Sequence, residues 1–395
     1  MNSTFPALNP RIVIAFVGTW VIALLAANLV PVLIGALVED LGMSLTAAGT
    51  LATVMSLGTA GAMFATNRFV AKGDRPKLAR LGLGIMAVGF GGAGLSLQTI
   101  PVQAGIILGG IGCGIVIAAS TAASSATRNP DNTTGTVMIV NRAGAAALLA
   151  VVPLLGNDLR AILFVLAGLG IAGILMAGGL PNLPVELPAK DSREPLGAMA
   201  ILLAFIFGLW SLTEEMVYTM TEIVAVENVG MSAGELSSWL SVSIIGGLAG
   251  AVLAPIVLRV IGRSWSLVGI VVISTICKFL LVTTDIYWLY ASALVTWGAM
   301  YGAVLTLVFG LAARMAVSGR VVVFVTSVYM IGIALGPMAG SWLVAYVTPL
   351  TFGLTVAIPS VLAGLILLWI SRRSGVPEHG ETTVDQNPAE VVTAG

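Results

Sequence analysis

The sequence predicts an all-α membrane protein: twelve transmembrane helices in two six-helix bundles related by an internal repeat. Three observations carry this expectation. Of the 395 residues 58% are hydrophobic and 9% charged, with a mean hydropathy of +1.03, and a soluble globule has no interior large enough to hide so much apolar surface. The apolar residues fall into segments near or above the roughly 20 residues a helix needs to cross a ~30 Å hydrocarbon core. Finally, Leu41-Gly42-Met43-Ser44 returns 188 residues later as Val229-Gly230-Met231-Ser232. At the same offset Gly58 matches Gly246, Arg75 matches Arg263 and Gly144 matches Gly332, so the duplication runs through much of each half.

Span 1, residues 12–38, follows Arg11. Its length of about 27 residues exceeds the apolar core of a signal peptide, and it belongs to the repeat, so it is expected to be retained. Spans 2 to 6 follow at 45–70, 79–97, 104–126, 135–155 and 161–180. Spans 7 to 12 occupy 198–223, 236–261, 266–284, 288–312, 321–346 and 350–371. Matched starts differ by 184 to 191 residues, which makes the repeat six plus six. The bundles are therefore expected over 1–180 and 198–373. Between them, residues 181–197 combine several prolines with charges of both signs, the composition of an exposed linker that cannot continue a helix. Residues 374–395 are polar, mildly acidic and lack aromatics, and are expected to form a disordered tail.

Basic residues give the expected sidedness. With both termini cytoplasmic, all of the 18 lysines and arginines except Arg142, Arg160 and Lys278 lie in inner segments, as the positive-inside rule requires of a multi-pass protein of the cytoplasmic membrane. These short basic turns form no continuous patch, which excludes nucleic acid as a partner. Cys113 and Cys277 lie in spans of different halves without metal or disulfide spacing and read as packing residues. Asn132-Thr133-Thr134 would face the cytoplasm, where no glycosylation occurs. The only histidine, His379, falls in the tail, so imidazole takes no part in intramembrane chemistry. No cofactor or metal is expected, and the chain is expected to be a monomer whose partners are lipid, a small solute and protons.

The turn between spans 2 and 3 reads Asn67-Arg68-Phe69-Val70-Ala71-Lys72-Gly73-Asp74-Arg75-Pro76-Lys77. Together with the duplication, the twelve spans and the inner linker, it resembles the major facilitator superfamily over residues 11–373. The family turn has the form G-x-L-A-D-R-x-G-R-R-K. Here Lys72, Arg75 and Lys77 keep its basic character while Ala71 holds the acidic position, and the second half retains only Gly262-Arg263. The resemblance implies transport by alternating access, with spans 5 and 7 beside a central cavity and span 9 peripheral. Proton-driven drug exporters of the family carry a basic residue in span 4, which is missing near Gly110, Gly112 and Gly114. Their span 5 glycine-proline motif has a counterpart here in span 11, as Gly332, Gly336, Pro337 and Gly340, a spacing that lets helices pack closely.

Four deep charges stand out, each costing at least ~2.5–3.5 kcal/mol near a span centre: Arg142, Glu214, Glu215 and Lys278. At 1.5 Å per residue from the inner ends, Arg142 lies roughly 11 Å deep, Lys278 roughly 18 Å and the glutamates roughly 24–26 Å. This puts Lys278 level with the glutamates and Arg142 more than ~10 Å away. Adjacent residues are about 100° apart, so the glutamates face differently. Trp210, Glu214 and Tyr218 share one stripe, an aromatic-framed carboxylate expected on the wall of a substrate pocket, and Ser211, Glu215 and Glu222 share another. Glu214 is therefore expected to carry the proton and Glu215 to pair with Lys278. A carboxyl group that loses hydration in one state and regains it in another loads a proton on one side and releases it on the other.

Arg142 is the expected anion hook, since a guanidinium forms bidentate bonds with carboxylate or phosphate. Asn141 and Asn28 are expected to add neutral donors, and Trp297, Tyr301 and Tyr329 aromatic surface. The expected function is proton-coupled symport of a small organic solute, an anion or an amphipathic compound. The alternative is a proton-coupled efflux antiporter for drugs or metabolites. No phosphate loop supports ATP-driven pumping, and an enzyme would need a nucleophile with its base or metal ligands at membrane depth, neither of which is present. A channel would conduct through one continuously open path and could not concentrate its solute.

Overall fold

Short polar side chains start the helices. Asn9 accepts from the amide of Ile12 at 2.9 Å ahead of Pro10, Asn129 from that of Asn132 at 3.1 Å ahead of Pro130, and Asp158 from that of Ala161 at 2.6 Å. Ser232 and Glu235 form a reciprocal capping box. Each satisfies amides that the first turn of a helix leaves without partners. The computed structural model describes residues 6–70, 74–96, 98–156, 158–182, 197–315 and 320–373. Among them, 12 helices are long and apolar enough to cross a membrane.

Span 1 runs Pro10–Asn28 and resumes as Val30–Leu41. Spans 2 to 6 are Leu45–Val70, Arg75–Ser96, Thr99–Ser124, Pro130–Val151 and Leu159–Met176. Spans 7 to 12 are Ala198–Val224, Ala233–Ile261, Arg263–Thr283, Tyr287–Met315, Arg320–Tyr346 and Pro349–Arg373. Apart from residues 181, 182 and 197, the expected linker lies outside the described residues, as do Lys72, the expected tail and His379.

The repeated tetrapeptide has a conformational cause. Gly42 and Gly230 end spans 1 and 7 in the left-handed region, at φ 61° and 74°, which a side chain disfavours. The next residue then closes the turn, Met43 N–H on the Leu37 carbonyl at 3.3 Å and Met231 N–H on that of Ala225 at 3.0 Å. Both methionines are buried. Ser44 and Ser232 accept from amides of the following helix, so four residues stop one span, anchor the turn and start the next.

The equivalent arginines are likewise both buried at the starts of spans 3 and 9. Arg75 binds the carbonyls of Val70 and Pro181, each at 3.4 Å, and its amide donates to Asn182 Oδ1 at 3.1 Å. It thereby ties the end of span 2 to the segment after span 6. Beside it, Lys77 pairs with Asp74 at 3.1 Å and its hydrogen bond holds the Asp74 carboxyl below the usual carboxylate range. Gly262, at φ 80°, turns the chain directly into Arg263, which sits at the head of span 9.

The halves meet at the end of the molecule away from the termini. There Tyr218 Oη donates to the Asn28 carbonyl at 2.8 Å, Ser241 Oγ to that of Ala146 at 2.7 Å, and the Met338 amide to Thr53 Oγ1 at 3.0 Å. Pro31 explains the first of these. It has no N–H to give the Ala27 carbonyl of the helical ladder, span 1 steps at Leu29, and beside this step the Asn28 carbonyl accepts from Tyr218. Residues of both halves, among them Leu33, Leu37, Met220, Ile223, Leu236 and Leu240, merge into one core at this end. Toward the termini, Leu203, Phe207, Leu307, Val325 and Leu367 belong to a core drawn from the second half alone. Among the described residues the halves thus share a buried core at the far end and none toward the termini.

Candidate functional site

Span 11 decides which way span 7 is rotated. A side chain on Gly332 would meet Ser211, one on Gly336 would meet Glu215, and one on Gly340 would meet Met216, so close approach of the two helices requires these glycines. Pro337 lies on the same helix with its carbonyl against Gly49 of span 2. Because span 11 takes the Ser211 and Glu215 stripe, Glu214 is turned into the interior of the second half.

There it meets Lys278. The Nζ to Glu214 Oε1 distance is 2.6 Å, and the ammonium also donates to Ser360 Oγ at 2.6 Å and Thr213 Oγ1 at 3.2 Å. Glu214 Oε1 accepts further from Ser274 Oγ at 3.4 Å, and Oε2 accepts from Trp297 Nε1. Glu214 and Lys278 are 1% and 0% exposed. Every ammonium proton has an acceptor and both carboxylate oxygens have donors, the condition under which a buried ion pair is tolerated. The partner of Lys278 is therefore Glu214, correcting the expected pairing with Glu215: sequence fixes the 100° between neighbours but not the rotation of the helix. Thr213, Ser274 and Ser360 have no role in the sequence reading, and the available signal was small hydroxyls at the level of Lys278 in otherwise apolar spans.

Glu215 is half-buried, and among the described residues its carboxylate makes no ion pair or hydrogen bond. It lies in the electrostatic field of Arg142, which reaches across from the first half with its guanidinium 5.7 Å from the centre of the Tyr301 ring. The predicted separation of these charges along the membrane normal is corrected accordingly. Span 5 begins at Pro130 rather than near residue 135, which deepens Arg142 by about 7 Å, and the length of its side chain closes the rest.

Aromatic rings frame the two charges. Tyr301 stacks on Trp210 at 5.5 Å and lies 6.5 Å from Trp297, which is 6.2 Å from Tyr218. The hydroxyls of Tyr301 and Tyr329 share a hydrogen bond. Tyr218 and Tyr301 keep partial exposure. Trp210, expected on the wall, is 0% exposed, held between Phe207 and Tyr301, so it backs the wall instead of forming it. Trp297 and Tyr329 are also buried. Asn141 is buried with its amide toward the Val21 carbonyl at 3.5 Å, and the Asn28 amide donates to Leu24 within its own helix at 3.0 Å. Neither asparagine offers its NH₂ group freely to the crevice. The structure thus gathers Arg142, Glu215, Tyr218 and Tyr301 in one place and withdraws Glu214 and Lys278 from it. Among the described residues no cluster of histidine, cysteine and acidic side chains could hold a metal.

The model of the family described as Major Facilitator Superfamily matches residues 15–322. No curated protein matches in sequence. Among solved structures, the nucleoside transporter NupG superposes with a TM-score of 0.70 at 15% identity, covering 92% of this chain and all (100%) of that one. A bacterial homologue of the human lysosomal transporter Spinster, in an inward-facing and occupied conformation, gives 0.68 at 14%, covering 93% and 98%. The human organic anion transporter MFSD10 (TETRAN) gives 0.64 at 14%, covering 91% and 100%. At these identities the likeness is one of fold.

Proposed function

The chain belongs to the major facilitator superfamily and is a secondary transporter of a small solute, and from that premise we propose that it couples uptake of a small organic anion to protons through Glu215 and Arg142. The reading rests on one observation: among the described residues, a carboxylate and a guanidinium from opposite halves, neither of them in an ion pair, share one field in the crevice. An anion and Glu215 then compete for the same positive charge. While the crevice is empty, Arg142 favours the ionised form of Glu215. An arriving carboxylate or phosphate neutralises Arg142, and Glu215, left in a poorly solvated site, takes a proton. Anion and proton therefore bind together, and the loaded crevice has little net charge to carry across. Tyr218 and Tyr301 supply the amphipathic walls that an organic anion needs. In this reading both termini are cytoplasmic, and the end where the described residues of the two halves share no buried core faces the cytoplasm.

By reciprocity, if the anion promotes protonation then acid pH tightens anion binding. Thermal-shift measurements with a panel of small organic acids on the purified protein are expected to show stabilisation that grows toward acid pH. In proteoliposomes, Glu215→Gln is expected to bind and exchange the same anion while losing proton-driven accumulation. Normal accumulation by the folded variant would overturn the assignment. Stabilisation by lipophilic cations instead, abolished in Glu215→Gln, would establish the efflux alternative.

A further inference from the structure

Two turns beyond Glu215 on the same stripe of span 7, Glu222 sits inside the seam that closes the far end. It is 4% exposed, and its Oε2 is buried without any hydrogen-bond partner. Its other oxygen lies against Gly35 of span 1, in the opposite half, where an added side chain would come within 2.6 Å of the Glu222 carboxyl carbon. The seam is thus built around this carboxyl group, with a glycine as its cradle. Among the described residues, the ionisable groups that face it are Glu39, on the next turn of span 1, and Tyr290 of span 10, whose hydroxyl donates to the Thr221 carbonyl at 2.8 Å. Neither brings positive charge. A carboxylate enclosed without a counter-ion or donors is not sustained in such a site, and the group stays neutral while enclosed.

We infer that Glu222 is a second proton-binding residue, whose protonated form is required for spans 1 and 7 to close the far end. The opening of this seam hydrates Glu222 and lets it release its proton to the far compartment. Closure demands that the proton be returned, because an ionised Glu222 would lie unpaired against Gly35 and be repelled by Glu39. The far gate is then sensitive to the pH of the compartment it faces. This holds whether or not Glu215 couples transport, because it needs only alternating access.

The test is a distance measurement between nitroxides at Val38→Cys on span 1 and Val226→Cys on span 7, with the buried Cys113 and Cys277 replaced by alanine, in the full chain in lipid nanodiscs. The ratio of far-open to far-closed populations is expected to rise with pH, reaching about tenfold per pH unit where Glu222 is ionised in the open seam and protonated in the closed one, the slope of one linked proton. Glu222→Gln should remain closed with a flat profile, and Glu215→Gln should keep the wild-type slope. Gly35→Ala should shift the population toward open at acid pH by displacing the carboxyl group. A flat wild-type profile overturns the inference whatever the variants do. So does a slope that survives in Glu222→Gln, or one that disappears in Glu215→Gln while Glu222→Gln retains it, because the titrating group would then lie in the crevice.

Discussion

Glu214 and Glu215 are consecutive residues of the same helix, yet they occupy different solvents. Glu214 faces spans 9 and 10, where an ammonium, an indole and a hydroxyl meet its carboxylate. Glu215 faces the first half, half-buried, and among the described residues only the field of Arg142 balances it. The difference teaches that a membrane-embedded charge is understood by counting its partners. A carboxylate with every oxygen satisfied is part of the architecture, whereas one with none is available for work. Neither has a counterpart within the repeat: the positions of the first half that correspond to Glu214, Glu215 and Lys278 are Ala26, Ala27 and Phe90, so both carboxylates and the ammonium belong to the second half alone.

The strongest way to break this contrast is Lys278→Met, which leaves Glu214 buried and uncompensated. A loss of about 3–5 kcal/mol is expected, read as a large fall in thermal stability or in folded yield. Adding Glu214→Leu should restore much of it. If Lys278→Met were as stable as wild type but unable to accumulate solute, the roles of the two glutamates would be reversed. Trp297→Phe, which removes one donor from the Glu214 carboxylate, is expected to cost about 1.5–3 kcal/mol of stability and to leave the pH dependence of transport in place. On the crevice side, Arg142→Lys should be close to neutral in stability. It should weaken anion binding by roughly tenfold, about 1.4 kcal/mol, because the compact ammonium lacks the guanidinium fork; calorimetric titration with the anion found by the thermal-shift panel measures it.

Much of the fold was legible because the bilayer imposes a length and a composition on each span. Helix ends were less so. Span 5 starts at Pro130, capped by Asn129, but Asn132, Thr133 and Thr134 hide that start from a hydropathy reading. The error passed into the depth of Arg142 and separated it from Glu215. The choice between the glutamates was hidden for another reason. Periodicity relates residues on one helix to one another, whereas the absolute rotation of span 7 is set by Gly332, Gly336 and Gly340 on a helix more than a hundred residues away. Glu222 was visible on the stripe of Glu215, but nothing local says that Gly35 of the other half encloses it.

Three hydrogen bonds that join the halves pair a side chain with main chain: Tyr218 with the Asn28 carbonyl, Ser241 with the Ala146 carbonyl, Thr53 with the Met338 amide. A carbonyl is supplied by every residue and an N–H by every residue but proline, so one member of each clasp tolerates almost any substitution. After duplication, either half was free to drift at Asn28, Ala146 or Met338 without unmatching the other. Such one-sided dependence lets two copies diverge in chemistry while still shutting against each other.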